Sequence, residues 1–327
     1  MTIKSSFSQS DFEQILSQYQ LGALLSAEPI PQGTVQTNFF IFTNRGKFVF
    51  RYYENRPKPT VLFEIEVLLF LQAHHFPSPC PMPNTAQEFV GVFKDKPFVL
   101  FSFLEGQPLS NPKETHKKQL IQKAAELQSL TLKFKPRYSE HRWNYTPDFC
   151  RQVAFKKAQK LGTFAVREKF TWLERQLHLL QLPVSIPKAI CHCDFHFSNV
   201  LFQDEHLVAL LDFDDANYTY APFDLVYLVD QWGWSYPKDT MDLGVAANIV
   251  AAYNQHRPLS PLEQHHFFDV FKLAILIDCL WFFARGSGED FYERRKIEFL
   301  DSLGREQFET ALFRNELPKA KAFGDGA

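Results

Sequence analysis

The stretch ICHCDFHFSNVLF, residues 190–202, sets two cysteines, two histidines and an aspartate in six consecutive positions and follows them with Asn199. These residue types admit two chemistries. Cys191, His192, Cys193 and His196 could offer thiolates and imidazoles to a metal, but zinc sites usually draw on two separated pairs. No second Cys or His pair stands at a suitable spacing. On a strand, moreover, His192 would face away from both cysteines, which then read as small buried residues closing the strand.

Asp194, Asn199 and Asp212 form a different set. The strand AICHC ends at Asp194, a loop carries Asn199, and the hairpin NVLFQDEHLVALL returns the chain to Asp212. Two carboxylates and a carboxamide gathered by one hairpin suit a hard cation such as Mg2+, which takes few protein oxygens and completes its shell with phosphate and water. Phosphoryl transfer asks for these parts: a carboxylate to orient and deprotonate a hydroxyl, and metal-held phosphates in line with it. Each residue alone also reads as a turn former chosen for local hydrogen bonds; the order and spacing together make the stronger signal.

The elements around this loop change character near residue 105. A short amphipathic helix is expected at Asp11–Tyr19, then a hairpin in TNFFIFTNRGKFVFRYYE turning at Thr43–Gly46. Helical spacing of Leu62, Ile65, Leu68 and Leu69 runs up to Pro77 and Pro79, and a second hairpin turns at Lys94-Asp95-Lys96. Beyond the connector Leu104-Glu105-Gly106 the pattern is mainly helical: Pro112–Leu130, Pro147–Leu161, Arg167–Leu180, Pro222–Trp232 and more towards the C-terminus. The fold class expected is α+β and bilobal, with a β-rich lobe over residues 1–104, a helical lobe over 105–327 and a cleft between them.

Composition narrows the classes of function. The 327 residues include 45% hydrophobic and 22% charged side chains, ordinary for a globular protein, with Phe in excess at 35 copies. A formal net charge of -2 offers no basic stripe for nucleic acid and no polybasic run for an anionic membrane. Five cysteines, an odd number, do not read as a disulfide framework, so a reducing cytoplasm is the expected location. The N-terminus lacks the apolar core of a signal peptide, and the most apolar stretch, Val270–Ala284, is short and carries Lys272 and Asp278, as a buried helix would.

HCDFHFSN followed by LLDFDDA resembles the catalytic loop and metal-binding segment of the aminoglycoside phosphotransferase, choline kinase and homoserine kinase group, which has the bilobal protein kinase-like fold. PIPQGTVQTNFFIF resembles that group's phosphate-covering hairpin, KFVFRYY the strand bearing its phosphate-contacting cation, FEIEVLLFLQAHHFPSP the following helix and FVLFSFLEG its hinge. The resemblance implies ATP and Mg2+, Asp194 as catalytic base, and Asn199 with Asp212 as metal ligands. It also implies that His192 steadies the loop, that Asp224 braces it, and that backbone groups of Ser102, Phe103 and Leu104 pair with adenine. Arg51 stands where many members carry lysine and offers a planar fork instead of a point charge. Its carboxylate partner is Glu64 or Glu66, with the count back from Pro77 favouring Glu64. The phosphate loop has the single glycine Gly33, so a modest affinity for ATP is expected.

Cys193 replaces the arginine through which protein kinases control a long activation segment, and only 12 residues separate Asp212 from Asp224. A small-molecule hydroxyl is therefore the expected acceptor. Asp214, Asp215 and Asp230 could rim a site for an amino group, and Trp232, Trp234, Trp281 and Phe282 could cage a quaternary ammonium, although solvated surface and core are their commoner uses. The N-terminal LLSAEPIPQGTVQTNFFIF is nearest to the homoserine kinases of the group, with aminoglycoside-like and choline-like acceptors behind it. Two alternatives stand beside this reading: a catalytically silent nucleotide-binding module, and a protein Ser/Thr kinase of the same fold. The oligomeric state is not legible.

Overall fold

The computed structural model describes residues 4–31, 35–285 and 293–313, and the chain is α+β. It divides into two units. The first takes residues 1–119, 134–143 and 196–218, and the second residues 120–133, 144–195 and 219–327. Neither is continuous in sequence, and the hairpin carrying Asn199 and Asp212 clusters with the N-terminal segment.

In the first unit, α1 (Gln9–Leu16) opens on a capping box: Ser8 Oγ accepts from the Asp11 N–H, and the Asp11 carboxylate accepts from the Ser8 N–H. Five strands, β1 (Leu24–Pro29), β2 (Thr37–Thr43), β3 (Gly46–Tyr52), β4 (Gly91–Phe93) and β5 (Lys96–Ser102), form an antiparallel sheet in the order β1-β2-β3-β5-β4. Both expected hairpins are present. Lys94 and Asp95 have φ of 47° and 65°, the backbone sense that a two-residue turn between twisted strands demands. The strand β1 carries no clear alternation and is largely exposed along its length, which is why the sequence pattern does not announce it.

Period-two alternation sorts the sheet's side chains onto two faces. Ile41, Phe50, Tyr52, Phe98 and Leu100 join Phe12, Ile15 and Leu16 of α1 in a buried core, and Phe7 meets Phe12, Phe50 and Tyr52 with ring centroids 4.9–5.3 Å apart. The opposite face bears the cross-strand pairs Asn38–Arg51, Phe40–Val49 and Phe42–Lys47. The helix α2 (Lys58–Ala73) buries Phe63, Glu64, Val67, Leu68 and Leu71. A carboxylate inside an otherwise apolar face marks Glu64 for a specific partner.

The second unit is mainly helical: the C-terminal part of α3 (Glu114–Thr131), then α4 (Pro147–Leu161), α5 (Phe164–His178), α6 (Phe223–Gly233), α7 (Leu243–Asn254), α8 (Pro261–Arg285), α9 (Glu293–Leu303) and α10 (Arg305–Phe313). The start of α5 falls earlier than hydrophobic spacing suggests because Thr163 caps it, accepting from the Val166 N–H. One short strand, β6 (Lys188–Cys191), leads into the loop of Asp194, and the Ile190 N–H donates to Thr131 Oγ1 of α3 at 3.0 Å. Among the described residues, no helix is long and apolar enough to cross a membrane.

Candidate active site

In the first unit, β7 (Val200–Gln203) and β8 (His206–Leu210) pair antiparallel, and the Leu211 N–H donates to Asn199 O at 2.7 Å, so the hairpin brings Asn199 beside the residue preceding Asp212. Its register is fixed from outside. Gln107 and Phe202 exchange both backbone hydrogen bonds, at 3.0 and 2.9 Å, and the Leu210 N–H donates to Pro77 O at 2.9 Å. Gly106 permits the first contact: its φ is 132°, and a Cβ there would stand 2.9 Å from Val208 Cγ2 and 3.2 Å from Phe202 O.

Arg51 projects from β3 towards the end of this hairpin. Its Nη2 donates to Asp212 Oδ1 at 2.5 Å while Nη1 stands 3.6 Å from Glu64 Oε1. Of the two carboxylates open to Arg51 in sequence, Glu66 is taken instead by Arg137, at 3.2 Å. Glu64 also accepts from Tyr53 Oη at 3.0 Å. Burial pushes the Glu64 carboxyl up to about 7 against the pull of Arg51; burial opposes the Arg51 charge too, but Asp212 and Glu64 outweigh it and raise that group. Asp212 sits at φ 64°, a left-handed conformation unusual outside glycine. Such backbone strain recurs at functional sites.

Asp214 and Asp215 do not make an open negative rim. Asp214 is buried and meets Arg56 Nε at 3.0 Å and Gln36 Nε2 at 2.9 Å, Arg142 donates to its backbone carbonyl, and Asp215 accepts from Arg56 Nη2 at 2.7 Å. Burial works against the Asp214 charge, but Arg56, Arg51 and Arg142 outweigh it and hold the group below the usual carboxylate range. Burial and the Asp214 charge push Asp215 the other way. Gln36, Arg56 and Arg142 were not legible as site neighbours, since each reaches its partner across a gap in sequence that no periodicity spans.

Asp194 lies in the second unit, exposed. Its N–H donates to His192 Nδ1 at 3.3 Å, and the backbone N–H groups of His192 and Cys193 each donate to the Asp224 carboxylate at 2.9 Å. Cys193 has φ 63°, so the loop turns through a second left-handed residue immediately before Asp194. Gln128 of α3, which sequence reading missed, completes the set with Nε2 2.9 Å from Asp224 Oδ2.

The remaining candidates divide. The Ser102 N–H already donates to Cys80 O at 2.9 Å, leaving Phe103 and Leu104 as the hinge residues whose N–H groups have no such strand commitment. Phe103 instead belongs to an aromatic group that sequence reading did not assemble: Lys47 Nζ lies 3.8 Å from its ring centroid and 4.1 Å from that of Phe40. Asp230 pairs with Lys296 at 2.5 Å, and Trp234 packs on Phe299 at 5.6 Å, as core residues do. Trp232 is half-buried on α6. Gly33, and the side chains of Trp281 and Phe282, lie outside the described residues.

The donor set fits the groups its chemistry implies. Asn199 and Asp212 offer hard oxygens of the kind Mg2+ takes; Arg51 engages Oδ1 of Asp212. Among the described residues, Arg51 Nε is buried with no hydrogen-bond acceptor, a donor that an anionic phosphate oxygen would satisfy.

A protein-family model, that of the phosphotransferase enzyme family (APH), matches residues 26–260. The chain is 28% identical over 305 residues to the homoserine kinase of Methylobacterium radiotolerans, covering 92% of this chain and 89% of that protein. It is 27% identical over 270 residues to the homoserine kinase of Bartonella tribocorum, with 80% and 82% covered. Among solved structures it resembles amicoumacin kinase in complex with AMP-PNP, Ca2+ and Ami, with TM-score 0.62, 12% identity and 93% of each chain covered. It also resembles spectinomycin phosphotransferase with ADP and spectinomycin, with TM-score 0.61, 12% identity and 95% and 99% covered. At these identities the structural likeness establishes the kinase-like bilobal α+β fold.

Proposed function

Because the chain belongs to the phosphotransferase enzyme family, we propose that it moves the γ-phosphoryl group of ATP, with Mg2+, to a hydroxyl of a small molecule, most nearly homoserine or another amino alcohol. The observation that carries this reading is Arg51 held between Glu64 and Asp212 at the end of the hairpin that starts at Asn199. A cation and two oxygen donors carried by one sheet and its neighbouring hairpin support this reading, because phosphoryl transfer rewards such placement.

On this reading residues 1–104 form the nucleotide-binding lobe, and residues 105–327 carry the catalytic loop and the acceptor site. Phe103 and Leu104 present backbone groups to adenine. The Arg51 fork meets phosphate oxygens through Nε–H, and Asn199 and Asp212 hold the Mg2+, whose chemistry is to neutralise charge on the transferring phosphoryl group. Asp194 orients the acceptor hydroxyl and takes its proton as the new oxygen–phosphorus bond forms and the bond from the γ-phosphorus to the bridging oxygen of the β-phosphate breaks, releasing ADP. The homoserine reading is supported by 28% identity to the homoserine kinase of Methylobacterium radiotolerans over 92% of this chain. The short span from Asp212 to Asp224 supports a small acceptor over a peptide.

The test is magnesium-dependent ADP release from ATP with homoserine, choline, ethanolamine, methylthioribose and several aminoglycosides, using Asp194→Asn as the blank. A strong response to homoserine supports the reading in full, and a strong response to another member replaces the acceptor. ATP binding with silence across the panel would favour the nucleotide-binding module.

A further inference from the structure

Asp224 stands at one end of a directed chain of hydrogen bonds that runs through four helices of the second unit, α6, α3, α7 and α8. Its two oxygens accept the N–H groups of His192 and Cys193. Gln128 Nε2 donates to its Oδ2 at 2.9 Å; Tyr253 Oη of α7 donates to Gln128 Oε1; Arg257 Nη1 donates to Tyr253 Oη at 3.2 Å. Arg257 Nη2 then meets Glu263 Oε1, and the other oxygen of Glu263 accepts from the Ser260 N–H and Oγ, each at 2.9 Å, at the start of α8. Gln128, Asp224 and Tyr253 are fully buried, and Arg257 and Glu263 nearly so.

The chemistry of the end groups fixes the direction of every bond between them. A guanidinium only donates, so Tyr253 Oη must accept from it and direct its own proton elsewhere. The acceptor in reach is Gln128 Oε1. That choice turns the amide so that its NH2 faces Asp224, where Nε2 also lies 4.0 Å from Cys191 Sγ. A glutamine released from Tyr253 could present its oxygen to Asp224 instead, leaving two acceptors face to face in a buried site. Burial already pushes the Asp224 carboxyl up, against the N–H groups that draw it down, so the orientation of one amide bears on whether the carboxylate keeps its loop contacts.

We propose that Gln128, Tyr253 and Arg257 are positioning residues that hold Asp224 in its accepting form, and through the His192 and Cys193 amides hold the left-handed turn that presents Asp194. The inference rests on the catalytic role proposed for Asp194, while the loop contact itself can be read without turnover. Cys193 at φ 63° is a strained residue and persists only where its surroundings fix it. The anchoring N–H bonds to Asp224 do that.

The experiment is Tyr253→Phe, which removes the hydroxyl and keeps the ring, compared with Arg257→Lys, which keeps a donor-only cation. Hydrogen exchange at the His192 and Cys193 amides is followed alongside steady-state kinetics and thermal melting. For Tyr253→Phe the expected result is faster exchange at those two amides, kcat lower by roughly tenfold to a hundredfold with KM for ATP unchanged, and a melting temperature close to wild type. Arg257→Lys keeps a donor for Tyr253 Oη but not the fork that also holds Glu263, so its amide exchange and kcat are expected to stay closer to wild type than those of Tyr253→Phe while its melting temperature falls. Unchanged exchange and unchanged kcat in folded Tyr253→Phe overturn the inference. Should that variant fail to fold, Gln128→Glu makes the same test, since its acceptor-only head would face Asp224, and unchanged exchange there overturns it equally. A wild-type protein without turnover, whose loop amides nevertheless exchange faster in Tyr253→Phe, would refute the functional reading while sustaining the relay.

Discussion

Arg51 and Asp212, 161 residues apart in sequence, meet at 2.5 Å, and the same guanidinium faces Glu64 at 3.6 Å. One planar cation thus links β3, the buried face of α2 and the end of the β7–β8 hairpin. A lysine ammonium has three donors on a flexible stem and could not span both carboxylates with the same geometry. Arg51→Lys should therefore retain a measurable rate and raise KM for ATP by about tenfold, whereas Arg51→Ala should lower kcat/KM by at least about a hundredfold. Steady-state kinetics with ATP varied separates the two, and equal kinetics for Arg51→Lys and wild type would deny the fork a role.

Asp194 and Asp212 are both carboxylates, but their proposed tasks differ and so should their variants. Asp194→Asn should lower turnover by several orders of magnitude and leave nucleotide binding nearly intact, since it removes a proton acceptor. Asp212→Ala should weaken magnesium-dependent binding of ATP itself. Calorimetric titration with and without Mg2+ decides both; equal affinity before and after Asp212→Ala excludes it as a metal ligand.

Asp214 is a node of the fold. Removing its carboxylate leaves the half-buried Arg56 with Asp215 as its remaining carboxylate partner and strips the acceptor from Gln36 Nε2, a change expected to cost about 2–3 kcal/mol. Asp214→Ala should lower the melting temperature by roughly 5–10 °C. An acceptor-binding rim residue would instead change KM for the acceptor and leave the melting temperature alone.

Asp278 of α8 gives a pH dependence. Burial pushes its carboxyl above the usual carboxylate range to about 7, helped by the charges of Asp230 and Glu293 and opposed by Lys296, with Tyr227 Oη 3.3 Å away. The folded state holds this proton more tightly than the unfolded state. Its contribution to stability is therefore full below about pH 4 and declines as the pH rises towards 7. Asp278→Asn, which cannot ionise, should melt several degrees higher than wild type at pH 8 and show no such gain at pH 4. Parallel melting curves with the same difference at both pH values would contradict the assignment.

Sequence alone determined the local chemistry and most of the elements. Hairpins at Thr43–Gly46 and Lys94–Lys96 and the helix from Pro147 to Leu161 were legible because turn residues and apolar periodicity act over a few neighbours. The set Asp194, Asn199 and Asp212 could be nominated together because one short segment carries all three. The edge strand β1 was not, since a half-exposed strand has little alternation to read. Tertiary structure decided the pairings: Glu64 with Arg51 and Glu66 with Arg137, Asp214 with Arg56 and Gln36, Ser102 N–H with Cys80 O, and Gln128 between Asp224 and Tyr253. These depend on which side chains meet when distant segments pack, and a buried polar group must then find a partner wherever the fold supplies one. Residue spacing can nominate such a group; the packed chain selects its partner.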